Sequence, residues 1–216
     1  GAAAVTVSDP VEARPGAPEE TASWRELSGR DPSSTPSPGP DPADSSILDL
    51  DLPLVERFLL EFLREEVVRR RGFEKVVLGV SGGVDSAVAL ALACRALGPE
   101  NVHGFRLPYA TSSQDSLDDG ALVLEACGAQ SRTIDITPAV DGYVKSHEPD
   151  ISGHRRGNVA ARMRAVTLFD QAYKLQALPL GTGNKSERLL GYYTWHADDS
   201  PPINPLGDLF KTQVWA

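Results

Sequence analysis

Cysteine is all but missing from this chain. The two that occur among its 216 residues, Cys94 and Cys127, form no C-x-x-C pair and have no histidine pattern around them. Thiolate metal binding and dithiol redox chemistry are therefore set aside, and both read as small core residues. Long apolar runs are missing as well: none reaches the ~18 residues a membrane helix needs. The opening stretch Gly-Ala-Ala-Ala-Val-Thr-Val-Ser-Asp has neither the basic nor the apolar region of a secretory signal. The expectation is a cytoplasmic protein without a membrane partner. Positive charge is also scarce, with 21 Lys and Arg against 30 Asp and Glu and a formal net charge of −9. Affinity for a phosphate backbone comes from clustered cations, so nucleic acid is not expected as a partner.

Aliphatic periodicity is nearly absent from residues 1–46. That segment holds eight of the seventeen prolines and eight acidic against three basic residues, which is five of the nine excess negative charges. Such a composition cannot bury enough surface to offset its ordering entropy, and disorder is expected there. Residues 47–216 are left to form a single α/β domain.

Within that domain the organising stretch is Val76-Val77-Leu78-Gly79-Val80-Ser81-Gly82-Gly83-Val84-Asp85-Ser86. Its first five residues read as a buried strand, and the Ala- and Leu-rich run after Ser86 reads as a helix. A glycine turn between strand and helix gathers backbone N–H groups ahead of a helix dipole and attracts phosphate. Gly82 and Gly83 admit close approach, and Ser81 and Ser86 add hydroxyls. Asp85 would repel a polyphosphate unless a cation lay between them, so it reads as a magnesium ligand.

Two familiar motifs fail here. No Lys follows the glycines, as the nucleoside-triphosphate P-loop requires, and Ser81 stands where the dinucleotide fingerprint needs Gly. Gly79-Val80-Ser81-Gly82-Gly83 does satisfy G-x-S-x-G, the nucleophile elbow of α/β-hydrolases. A serine hydrolase using Ser81, with acid and base chosen from Asp135 or Asp198 and His196, is therefore a standing alternative.

The rest of the chain alternates strand and helix. A helix from Asp51 to Arg71 precedes the motif, closed by Arg69-Arg70-Arg71. After it come a strand near Val102–Leu107, a helix near Leu117–Ala126, a strand near Arg132–Ile136, a short helix past Pro138, a long helix from about Asn158 to Leu175 and a strand at Ala177–Leu180. This order predicts a doubly wound, mostly parallel sheet with helices on both faces. Polar clusters follow three of the strands: Ser81–Ser86, Pro108–Ser112 and Gly181–Glu187. Ligands bind at such strand ends.

Ser81-Gly82-Gly83-Val84-Asp85-Ser86 resembles the pyrophosphate-binding loop of the N-type ATP pyrophosphatases. Further stretches are similar to successive motifs of NAD synthetase, of the ammonia-dependent type: Gly157–Arg164, Gly181–Glu187, Gly191–Thr194 and Ile203–Gln213. Together they cover roughly residues 53–216. The resemblance implies an adenine nucleotide alpha hydrolase-like fold, a homodimer and amidation of deamido-NAD. ATP adenylates the nicotinic acid carboxylate, pyrophosphate leaves, and ammonia displaces AMP.

It also implies roles. Gly79, Val80, Ser81, Gly82, Gly83, Val84, Asp85 and Ser86 hold ATP, joined by Arg106, Thr182 and Lys211. Asp85 and Glu187 bind Mg2+, and with Lys211 they form the catalytic set. Arg162, Asn158, Tyr192, Trp195 and Asp198 face deamido-NAD. Trp195 and Pro202 depart from the Lys and Asp that family members often carry. His196-Ala197-Asp198-Asp199 replaces a commoner Gly-Asp-Gly, with Asp198 retained. The family continues past the counterpart of Ala216, so the domain is expected to be incomplete at its C-terminus. That expectation leaves a third reading open, a non-catalytic ATP-binding remnant.

Overall fold

Asp51 caps the first helix as its sequence predicts, its carboxylate accepting a hydrogen bond from the Leu54 N–H at 3.1 Å. In the computed structural model, which describes residues 48–216, this helix is α1, Leu52–Leu63. The disorder expected for residues 1–46 lies outside the described residues. α1 does not run evenly to Arg71. Residues Arg64–Arg69 widen into a π-helical turn that seats Val67 in the core. Arg69, Arg70 and Arg71 pair with glutamates on this helix, Arg69 with Glu61 and Glu65, and Arg70 and Arg71 with Glu66.

Four strands follow: β1 (Lys75–Gly79), β2 (Val102–Arg106), β3 (Gln130–Thr133) and β4 (Ala177–Pro179). All pair in parallel, in the order β3-β2-β1-β4. The helices between and beyond them are α2 (Val84–Leu97), α3 (Gln114–Cys127), α4 (Thr137–His147), α5 (Gly153–Leu175), α6 (Lys185–Leu190) and α7 (Lys211–Trp215).

Successive residues of a strand point to opposite faces, and here both faces are buried. Val76 and Leu78 of β1 join the core formed with α1, α2, α3 and α7, where Leu63, Leu90, Leu124 and Val214 pack. Val77 faces the opposite core with Phe105, Val140 of α4, and Ala160 and Ala172 of α5. Cys94 and Cys127 are free thiols, and burial pushes Cys94 up to about 12.

Several boundaries differ from the sequence expectation because caps set them. Ser113 accepts from the Ser116 N–H and starts α3 at Gln114, ahead of Leu117. Ser152 does the same for Arg155 and starts α5 at Gly153, well before Asn158. β3 sits at the sheet edge and ends at Thr133. The Ile134 and Ile136 N–H groups still bond to the Arg106 and Pro108 carbonyls, at 2.9 and 3.0 Å.

The strand order reverses between β1 and β4, and a crevice opens beyond the carboxyl ends of strands at such a point. Past β4 the chain leaves through Gly181–Asn184 and later returns, where Ile203 forms a parallel bridge with Leu180 and receives the Gly181 N–H at 2.7 Å. That return brings the start of α7 alongside α6, with the Lys185 N–H bonded to the Leu209 carbonyl at 2.8 Å.

Candidate active site

The loop after β1 is held by its own serines. Ser86 Oγ donates to the Gly83 carbonyl at 2.8 Å and accepts from the Ser81 N–H at 3.2 Å, while Ser81 Oγ accepts from the Gly83 N–H at 3.3 Å. Gly82 has φ +86°, and a Cβ there would lie 2.3 Å from the Ser116 carbonyl oxygen of α3. Glycine is required at this position by backbone conformation and by the approach of α3 alike.

Two adjoining cavities open at the switch point. One, of about 410 Å³, is mostly apolar and bounded by Gly79, Val80, Phe105, Leu107, Leu168 and Leu180, with Arg164 on its wall. The other, of about 690 Å³, is polar and takes in Asp85, Ser86, Asn184, Glu187 and Tyr192. Ser81, Gly181, Thr182 and Asp198 border both. Five carboxylates line the polar cavity (Asp85, Glu187, Asp198, Asp199 and Asp208) against one cation among its lining residues, Arg188.

Asp85 sits between two donors from distant parts of the chain. Its Oδ1 accepts from Asn184 Nδ2 at 3.2 Å, and its Oδ2 is paired with Lys211 Nζ. Asn184, 1 % exposed, also caps α6. Its Oδ1 accepts from the Glu187 N–H at 3.0 Å, and Glu187 Oε2 accepts from the Asn184 N–H at 3.1 Å, a reciprocal capping box.

The donor set suits a divalent cation. Hard cations take carboxylate oxygens, Asp85 and Glu187 open on one cavity, and an ammonium already stands against Asp85. Among the described residues no group of three or more His, Cys, Asp or Glu gathers as a metal cluster. A cation held by these two would complete its coordination sphere with water or with oxygens of a ligand.

The expected residues divide. Gly79, Val80, Ser81, Asp85, Ser86, Thr182 and Glu187 border the cavities, and Lys211 reaches them through Asp85. Gly82, Gly83 and Val84 line neither cavity. Arg106 borders neither cavity. Its Nη1 donates to the Leu117 carbonyl of α3 at 3.4 Å, and its buried Nε has no partner among the described residues. Asn158 and Arg162 face the Tyr192–Asp198 turn: Asn158 Oδ1 accepts from Thr194 Oγ1 at 3.1 Å, and Arg162 Nε donates to the Trp195 carbonyl at 3.1 Å. Asp198 Oδ2 accepts from the Thr194 N–H at 2.9 Å within the same turn. Tyr192 is largely exposed at the mouth of the polar cavity, and Trp195 is exposed outside both.

Two residues were not foreseen. Arg164 lines the apolar cavity, donates from Nε to the Leu107 carbonyl at 3.0 Å, and burial holds its guanidinium below the usual arginine range against the charge of Asp198. Its neighbour Arg162 has the same side chain, and nothing in the spacing says which of the two faces inward. Asn184 was foreseeable as a cap, since Asn184-x-x-Glu187 is a readable capping box.

Among the described residues the geometry assembles no hydrolase triad on Ser81. The Ser81 hydroxyl is engaged with Ser86 and the Gly83 N–H, and its backbone is not in the strained positive-φ conformation. Asp135 accepts from the Thr137 N–H at 2.8 Å at the start of α4, and the Thr137 hydroxyl first and this N–H second hold its carboxyl below the usual range.

A doubly wound parallel α/β domain with a glycine turn at its switch point is the class that this fold and site define. The model of the NAD synthase family matches residues 55–216. The chain is 48% identical over 170 residues to the NH(3)-dependent NAD(+) synthetase of Trichlorobacter lovleyi, an alignment that takes in 79% of this chain and 62% of that relative. Among solved structures it is similar to the NH3-dependent NAD synthetase of Campylobacter jejuni, with TM-score 0.73, 34% identity and coverage of 77% and 72% of the two chains. It is also similar to the NMN synthetase of Francisella tularensis, with TM-score 0.73, 29% identity and coverage of 77% and 69%. The chain belongs to the NAD synthase family. It spans 62% of the length of the Trichlorobacter relative.

Proposed function

We propose that this domain uses ATP to activate the nicotinic acid carboxylate of deamido-NAD, with ammonia then displacing AMP to give NAD. The observation that carries the reading is the convergence of Asp85, in the first turn of α2, and Glu187, in the first turn of α6, on one polar cavity adjoining an apolar one. An adenine ring suits the apolar cavity, and a triphosphate suits the polar one once a cation offsets its carboxylates.

In this reading Asp85 and Glu187 hold Mg2+, which withdraws charge from the phosphate oxygens when bound. The loop from Gly79 to Ser86 presents its N–H groups and hydroxyls to the phosphates, and Thr182 adds a hydroxyl where the two cavities meet. Lys211 stabilises charge on the leaving pyrophosphate. The substrate carboxylate oxygen attacks the α-phosphorus as the bond to pyrophosphate breaks. Ammonia then attacks the adenylated carbon, AMP departs with its electron pair, and one proton is lost to give the amide. The chain contributes positioning and electrostatics, not covalent chemistry.

Deamido-NAD is assigned to the side of the Tyr192–Asp198 turn, with Arg162 and Asn158 holding that turn on α5. A homodimer accompanies the reading, supported by the exposed Val166, Phe169 and Tyr173 on α5, the last 89 % exposed. So does a cytoplasmic location; no helix among the described residues is long and apolar enough to cross a membrane.

The test is NAD formation from deamido-NAD, ATP and magnesium, with ammonium and with glutamine as nitrogen donor. Ammonium-dependent NAD with stoichiometric pyrophosphate and AMP is expected. Failure to release pyrophosphate in the presence of deamido-NAD, with ATP bound, would leave a nucleotide-binding protein without this reaction.

A further inference from the structure

We propose that Asn184 is a positioning residue that aims both candidate magnesium carboxylates, beyond its service as a helix cap. The inference rests on the magnesium-ATP reading given above.

A cap needs only an oxygen, and Ser, Thr and Asp supply one about as well as Asn. Here the cap is made by Asn184 Oδ1 with the Glu187 N–H, at 3.0 Å. That contact fixes the orientation of the amide, because a backbone donor can meet only its oxygen. The nitrogen is thereby turned toward Asp85, whose Oδ1 it meets at 3.2 Å across 99 positions of sequence. Capping gives no reason for this second bond.

The two donors on Asp85 differ in kind. Lys211 is a full charge on Oδ2 and competes with any metal for that oxygen. Asn184 is neutral, so it fixes the direction of the carboxylate through Oδ1 without neutralising it. When Lys211 turns to a phosphate, Oδ2 is freed and Oδ1 stays tethered. The reciprocal bond from the Asn184 N–H to Glu187 Oε2, at 3.1 Å, holds the other carboxylate. One residue, 1 % exposed, thus ties together the first turns of α2 and α6, its side chain holding the Asp85 carboxylate and the Glu187 N–H and its backbone N–H holding the Glu187 carboxylate. Partners that orient metal-binding groups in this way typically govern 10–100-fold in metal affinity.

The test uses Asn184→Ser and Asn184→Thr, which keep a capping oxygen and are too short to reach Asp85. Mn2+ is the probe, titrated by electron paramagnetic resonance in the presence of ATP. AMP binding without metal is measured in parallel by calorimetry, and melting temperature is recorded. Expected is a rise of at least ~10-fold in half-saturating Mn2+, with AMP affinity within about twofold of the parent. Unchanged Mn2+ affinity, or Mn2+ and AMP affinities that fall together, would make Asn184 a structural cap only. Loss of folding in both variants would overturn the inference in the same way. If the parent protein shows no metal-dependent ATP binding, the magnesium-ATP reading itself fails, an outcome distinct from these.

Discussion

Lys211 Nζ and the Asp85 carboxylate, 126 positions apart in sequence, are ion-paired where Asp85 lines the polar cavity. The lysine thus stands on one of the two carboxylates that a divalent cation is expected to use. The same ammonium is expected to serve the phosphates during catalysis, so it must leave Asp85 when nucleotide and metal arrive.

Lys211→Met is therefore expected to split two measurements that usually move together. Mn2+ binding without nucleotide should tighten a few-fold, because a competitor for Asp85 Oδ2 is gone. NAD formation should fall at least ~100-fold, the usual scale for losing one preorganised charge donor at a reacting group. Metal binding that weakens in step with activity would show that the lysine supports the metal site and does not compete with it.

Asp85→Asn is expected to stop deamido-NAD-dependent pyrophosphate release while leaving the fold intact. The residue sits on the cavity wall, outside the two hydrophobic cores, and its melting temperature should stay within a few degrees of the parent. Near-normal pyrophosphate release by this variant would remove Asp85 from the mechanism.

Gly82→Ala is expected to destabilise the domain by roughly 1–3 kcal/mol, since a side chain at φ +86° is strained and its Cβ meets the Ser116 carbonyl. Gly83→Ser is the contrast. Gly83 has φ −84° and is the N-cap of α2, a position where serine is favoured. Urea midpoints for the two variants should separate clearly, and equal midpoints would show that α3 yields at Ser116.

Acid stability offers a check on the sheet. His103 of β2 has a buried Nε2 with no partner among the described residues; burial, and then the charge of Lys75, hold its imidazole below the ordinary value of 6.5. As pH falls below about 6.5 the unfolded chain takes up a proton that the folded one resists. Stability is lost through that window and levels off once pH passes the folded value. Urea midpoints at pH 7.5 and 5.5 should differ less in His103→Gln than in the parent. An unchanged difference would assign the acid sensitivity to other groups.

Where a feature depends on a few adjacent residues, it was legible in the chain. Asp51 reads as an N-cap and is one, Val76–Val80 reads as a buried strand and β1 runs Lys75–Gly79, and the alternation of strands and helices gives the parallel sheet. The start of α5 was misplaced because His154-Arg155-Arg156 offers no apolar spacing, and the Ser152 cap alone marks the turn. Arg106 was expected at the nucleotide and packs on α3, whereas Arg164 lines the cavity unforeseen. The direction of a side chain at a strand end or on a helix depends on what the rest of the fold brings against it. Asn184 illustrates the same limit, its cap contained in four residues and its bond to Asp85 spanning 99.

The return of the chain beside β4, through the Leu180–Ile203 bridge, bears on how the protein is made. Asp85 meets its two donors only across separations of 99 and 126 residues, contacts of high order that close late in folding. As the chain emerges from the ribosome, the loop after β1 forms while its carboxylate still faces water, long before Asn184 and Lys211 exist to meet it. On the proposed reading, metal-dependent nucleotide binding would report completed folding, since it needs the contacts that form once Ile203 has returned to the sheet.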